Sequence, residues 1–332
     1  MKIRFTNKYG SWNAAKSGKG KFSLRMIAEW RKHGIEVTDD LDARVDIDLQ
    51  ITRFAYKPRH AHKVVLRVGP VEYDTNIKDI RDQHSYKAKN AVMANDQMHC
   101  DALVYQSAFA EKAQRKMVWN CNKPTRIIFN GADPKFYAGL EPWPTTYKVN
   151  FLASTREWVW EKRLTDLIAA FLEANVPSSC LWVLGQVWEA PKRFPPFQKD
   201  WQKRFAYPDI RFMGPRDDKT IGMFYRMATC MLHAVYIDAC PNAVAEAVCA
   251  GCPVLATRIG GQAELPIIPL DTDPLWDFRP RDRRKPPPLD IKAFADAMKV
   301  IAANPPEKPD CSSVTIANVA KQYLDFFREL LA

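Results

Sequence analysis

The sequence predicts an α/β protein built of two Rossmann-like βαβ domains in tandem. Three observations support this. At 332 residues the chain is longer than one hydrophobic core usually serves. Apolar strand-like runs alternate with helical stretches twice over, the pattern of a parallel sheet covered on both faces. A Pro-rich, aperiodic stretch near residues 138–147 separates the two series.

The first series opens with a strand over Lys2–Asn7. A loop of small and basic residues, SWNAAKSGKGKFS, leads to a helix with apolar Leu24, Ile27, Ala28 and Trp30. His33-Gly34 stops that helix and IEV resumes as strand. Strands are expected at Val45–Thr52, Lys63–Gly69, Ala102–Gln106 and Arg126–Asn130, with helices near 76–99 and 107–118. Asn130-Gly131 and Asp133 read as turn chemistry. The second series has VNFLAST, CLWVLGQ, DIRFMG, CMLHAVYI and PVLATR as strands. From Leu265 to Pro288 a Pro-rich stretch, with five basic residues between Arg279 and Lys285, reads as a solvated insertion or as a basic loop able to touch an anionic partner. Val319, Ala320, Tyr323, Phe326, Phe327, Leu330 and Leu331 then recur at helical spacing. The expected units are residues 1–140, residues 148–315, and a terminal helix over 316–332 that crosses back to the first unit or packs on its own.

Composition sets the class. Hydrophobic residues make up 47% and charged residues 26%, as in soluble globular proteins. No run approaches the roughly 20 apolar residues of a membrane span, and the polar start MKIRFTNKYG does not resemble a signal peptide, so the expectation is a cytoplasmic protein. Eight scattered cysteines form no regular framework, and Cys249-x2-Cys252 lacks the second pair a zinc site needs. The net charge of +11 is uneven: residues 1–145 carry 25 Lys and Arg against 16 Asp and Glu, the remainder 24 against 22. That asymmetry favours an anionic partner for the first half.

Residues 238–264 concentrate the chemistry. Asp238 lies in a turn, Pro241 starts a helix, and Glu246 lies on it, eight positions after Asp238. The N–H groups around Asn242 to Val244 are expected to face outward as an anion or hydroxyl receptor. After the strand VNFLAST come Arg156 and Lys162, six apart. Gly18-x-Gly20 invites a phosphate-loop reading, but that motif needs Gly and Ser or Thr where Ala15 and Phe22 stand, so a P-loop NTPase or kinase is excluded. Asp271-x-Asp273 repeats at Asp40-x-Asp42 and Asp46-x-Asp48, so the triplet does not single out a metal site.

Asp238-x7-Glu246, Ala250-Gly251-Cys252-Pro253-Val254 and Gly260-Gly261 together resemble the donor signature of retaining GT-B glycosyltransferases of family 4, with Asp238 replacing the first Glu. The resemblance implies a GT-B fold, a first domain on the acceptor side and a second that binds a nucleoside-diphosphate sugar, UDP- or GDP-linked. It implies that Arg156 and Lys162 hold the diphosphate, that Glu246 takes the ribose, and that Asp238 with the turn Cys240, Pro241, Asn242 and Ala243 meets the sugar. Gly18 and Gly20 would form a loop near the diphosphate, and Gly214 would open a loop near the base. It further implies retention of anomeric configuration and no prosthetic group or metal. Family members often carry a His after the third strand; here the region reads LRVGPVEYD, offering Arg67, Glu72 and Asp74.

Three functions are consistent with these features. Transfer to an anionic lipid-linked or polysaccharide glycan, at the inner membrane face, fits the basic first half. Transfer to hydroxymethylated bases in DNA fits the same charge, with RFAYKPRHAHK interleaving aromatic and basic residues. A lapsed nucleotide-sugar or nucleic-acid binding module fits Asp238 and the missing His.

Overall fold

The computed structural model describes residues 1–6, 18–76, 84–187 and 207–332. Two six-stranded parallel sheets, each flanked by helices, form the GT-B architecture. In chain order the first series is β1 (Lys2–Thr6), α1 (Gly18–Lys32), β2 (Glu36–Thr38), β3 (Val45–Thr52), β4 (Ala61–Val68), α2 (Tyr86–Met98), β5 (Ala102–Tyr105), α3 (Ala108–Met117), β6 (Thr125–Ile127) and α4 (Pro134–Ala138). Its sheet order is β2-β1-β3-β4-β5-β6. The second is β7 (Val149–Glu157), α5 (Leu164–Ala174), β8 (Ser179–Gln186), β9 (Ile210–Gly214), α6 (Asp218–Met227), β10 (Cys230–His233), α7 (Asn242–Cys249), β11 (Val254–Thr257), β12 (Ile268–Leu270), α8 (Ile291–Ala303) and α9 (Ile316–Leu331), with sheet order β12-β11-β10-β7-β8-β9. Strands buried on both faces explain the near-continuous apolar runs such as ALVY and CMLH.

The last helix belongs to the first core. Tyr323 and Phe327 of α9 pack on Trp30 of α1 with ring centroids 6.0 Å apart in each pair, and Trp30 Nε1 donates to the Ala320 carbonyl at 3.2 Å. Extended segments lead the chain into and out of that half side by side: Ala132 N donates to Val314 O at 3.0 Å and Ile316 N to Ala132 O at 2.8 Å. Beyond Ala132, α4 and Trp143 pack on α6, with Trp143 stacked on Phe224 at 4.6 Å.

Two expectations are corrected. Strand β10 stops at His233 rather than running to Ile237, because the backbone beyond it leaves the sheet: Gln262 Nε2 donates to Val235 O at 2.7 Å and Tyr236 N to Glu161 O at 3.1 Å. The Pro-rich stretch read as a solvated insertion instead contributes β12 and then a strap across to the first half. Arg281 N donates to Tyr73 O at 2.8 Å, Thr75 N to Arg281 O at 3.1 Å, and buried Trp276 lies between Tyr73 and Phe109, 5.2 and 5.9 Å between centroids. Its anchor in the second half is Arg163–Asp273, 2.8 Å apart, with both side chains 1% exposed. Asp273 is thereby committed to an ion pair, and Asp271 pairs with Arg258 at 3.2 Å.

Candidate active site

A cavity of about 350 Å³ opens at the carboxyl ends of β7, β8 and β10, where open α/β sheets place their ligands. One wall is the end of β7. Gly185 of β8 has φ +108°, and a Cβ there would come within 1.9 Å of the Thr155 carbonyl oxygen, so only glycine lets the two backbones approach this closely. The register shifts between Ser154 and Glu157, and Arg156 and Lys162 both reach the cavity. Lys162 Nζ donates to Glu157 O at 2.7 Å and to Thr155 Oγ1. Burial holds its ammonium below the usual lysine range, opposed by Asp238 and Glu161. Arg156 is exposed on the rim and makes no ion pair among the described residues.

The facing wall is the turn from Asp238 into α7. Cys240 N donates to Asp238 Oδ1 at 3.0 Å, and Gly261 N to Asp238 O at 2.6 Å. Pro241 is the N-cap of α7 rather than its first residue, and the Val244 N–H returns to Pro241 O at 3.1 Å. The receptor expected over Asn242 to Val244 is therefore narrower: the N–H groups preceding the first helical bond are those of Asn242 and Ala243, both on the cavity wall. Burial pushes the Asp238 carboxyl up, against the pull of the Cys240 N–H and Lys162.

Gly261 packs beneath this turn so closely that an added Cβ would lie 1.8 Å from Ala239 O. Gly261→Ala is expected to cost about 1–3 kcal/mol by overpacking and to dislodge Asp238, read as a lower urea midpoint together with weaker nucleotide binding.

Glu246 also lines the cavity, and its Oε1 accepts from Arg25 Nη2 of α1 at 2.9 Å. Lys21 of the same helix pairs with Asp218 and borders the cavity too. Helix α1 thus spans the mouth and fastens the first half to α6 and α7. Sequence reasoning missed Arg25 and Lys21, since no local pattern links them to partners 221 and 197 positions away. It also missed His233, a buried floor residue whose Nε2 has no partner among the described residues. Burial lowers that imidazole to about 3, so it is neutral at physiological pH.

The remaining candidates fall outside the cavity. Gly18 and Gly20 form the first turn of α1 rather than a loop, and Lys21 is the residue of that turn that reaches the cavity. Residues 11–17 of the anticipated loop lie outside the described residues. Gly214 ends β9 at φ +66° behind Pro215 and Arg216, which do line the cavity. The Cys240 side chain points away, its sulfur accepting from Asn130 N at 3.4 Å and its carbonyl from Asn130 Nδ2 at 2.7 Å. Arg67 is buried, donates to Asn130 Oδ1 and stacks over the Phe22 ring at 4.5 Å.

Residues 148–304, from β7 through α8, match the family model of glycosyl transferases group 1. No curated protein matches the chain by sequence. Among solved structures, sucrose-phosphate synthase from Thermosynechococcus elongatus superposes with a TM-score of 0.69 at 16% identity, covering 99% of this chain and 98% of that one. AviGT4, a glycosyltransferase involved in avilamycin A biosynthesis, gives 0.64 at 14% identity over 100% and 98%. Anabaena Alr3699/HepE in complex with UDP gives 0.62 at 14% identity over 99% and 100%. At these identities the likeness establishes the shared fold.

Proposed function

We propose that the protein is a glycosyltransferase that moves a sugar from a nucleoside-diphosphate donor to a glycan acceptor, lipid-linked or polysaccharide, with retention of anomeric configuration. The observation that carries this reading is that Arg156 and Lys162 share one cavity with Asp238 and Glu246. Cleaving the bond to the anomeric carbon leaves a diphosphate whose charge grows as the bond breaks. Two cations on one wall, one of them poorly solvated, stabilise that charge more than they stabilise the intact donor. On the opposite wall, Asp238 and the N–H groups of Asn242 and Ala243 suit hydroxyls of the transferred sugar, and Glu246 suits the ribose diol. Neutral His233 adds no competing charge at the floor.

UDP is the favoured carrier, because the Anabaena structures that share the fold hold UDP, UDP with glucose, and UDP-glucose. Retention follows from the family signature, with the departing phosphate assisting loss of the acceptor proton, so neither a protein nucleophile nor a bound metal is assigned. The basic first half suits an acceptor displayed at an anionic membrane face on the cytoplasmic side. No helix among the described residues is long and apolar enough to cross a membrane.

A thermal-shift screen of UDP-, GDP-, ADP- and CDP-sugars tests the donor. A sugar nucleotide held at about 100 times its Kd is expected to stabilise the fold by about 2.7 kcal/mol. Absence of any shift across the four carriers sinks the assignment. The anomeric configuration of the product, read by NMR, tests retention.

A further inference from the structure

Behind Asp238 lies a second cavity of about 160 Å³, and Asp238 lines both. Its other walls come from four separate parts of the chain: Val71 and Tyr73 after β4, Phe109 of α3, Glu161 of the 3-10 turn that also carries Lys162, and Arg283 of the strap. We propose that this cavity receives the acceptor as an uncharged sugar ring, with Arg283 and Glu161 binding its hydroxyls and Tyr73 and Phe109 covering its apolar face. The inference rests on the donor reading, because the shared wall at Asp238 is what puts a ligand here against the transferred sugar.

Size and charge decide the class. At roughly 30 Å³ for a water, the volume equals about five waters, room for one ring rather than an oligosaccharide. Two carboxylates, Glu161 and Asp238, face one guanidinium. That guanidinium already lies 3.6 Å from Glu72 and 4.5 Å over the Tyr73 ring. A phosphate or carboxylate entering would meet two like charges in a confined, poorly solvated space, whereas hydroxyls can accept from Arg283 and donate to Glu161. Arg283 Nε is buried without a hydrogen-bond partner among the described residues, a cost that a ligand oxygen would relieve. Burial pushes the Glu161 carboxyl up, as it does for a carboxylate kept from water and short of partners. The basic surface of the first half is then left to hold charged parts of the acceptor outside this cavity.

The test is saturation-transfer NMR with methyl glycosides of glucose, galactose, mannose and N-acetylglucosamine, against methyl glucuronide and glucose 6-phosphate, on the full chain with UDP in excess. At least one neutral glycoside is expected to bind, with the two charged sugars at least about tenfold weaker. Arg283→Ala, at the rim, and Ala110→Leu, which fills the cavity, are each expected to weaken the neutral ring about tenfold or more while the UDP Kd stays within about twofold. Preference for a charged sugar, neutral binding unchanged in both variants, or UDP binding with no neutral sugar bound would each overturn the proposal alone. Failure of the wild-type chain to bind UDP or any of the other three carriers would overturn the donor reading and this one with it.

Discussion

Lys162→Met is expected to lower sugar transfer by about 10²–10³-fold, the scale seen when one preorganised donor to a developing anion is removed. Met keeps the length of the side chain, so the loss reports charge rather than packing. The effect is large because the ammonium is fixed before substrate arrives: Glu157 O at 2.7 Å and Thr155 Oγ1 hold it, and Asp238 lies across the cavity. Burial also makes its charge less screened than a surface lysine's. Arg156, exposed on the rim, is expected to matter less, about tenfold on its own, because water screens it. Steady-state transfer measured with the donor found by thermal shift checks both. Full activity with Arg156 and Lys162 both replaced would end the diphosphate assignment.

Asp273→Ala is expected to cost about 3–5 kcal/mol, the range for breaking one side of a buried ion pair. Arg163 Nη1 donates to both Asp273 oxygens at 2.8 and 2.9 Å, while its Nε and Nη2 are already buried without partners among the described residues. Removing the carboxylate would leave a guanidinium with, among the described residues, the Tyr236 ring 5.1 Å away as compensation. Arg163 also sits at φ +53°, a conformation that a side-chain-bearing residue keeps only when its surroundings enforce it. Because it directly follows Lys162, slack here would also loosen the cation in the cavity. Urea denaturation reads the stability loss, and the doubly apolar Arg163→Met/Asp273→Leu chain is expected to recover most of it. If the single variant costs under about 1 kcal/mol, the pair is not the anchor of the strap.

Much of the fold was legible because its determinants are local. The apolar runs of β5, β7, β8 and β11 announce strands buried on both faces, and the helix stop at His33-Gly34 and helix start after Pro241 follow from backbone chemistry. The relation of Asp238 to Glu246 was also legible, since eight positions across a turn and the start of a helix place both on one side of α7. Where the reading slipped, a distant partner had overridden a local preference. Gly18-x-Gly20 reads as a loop, yet both residues sit in α1, a helix whose apolar face is buried by the first sheet and α9. PIIPLDTDPLWDFRPRDRR reads as solvated, yet Trp276 and Asp273 find a burial site and a counter-ion on other elements.

The sequence by itself determined two βαβ series, singled out Arg156, Lys162, Asp238 and Glu246, and set the surplus of positive charge in the first half. Each depends on composition or on spacing within a few turns, where chain geometry leaves little choice. Only the tertiary structure decided that Arg25 closes on Glu246, that α9 completes the first core, and that the strap brings Arg283 and Glu161 to a second cavity behind Asp238. Those contacts join residues a hundred or more positions apart. At that separation the partner is selected by packing and desolvation across the whole molecule, and no local period records it.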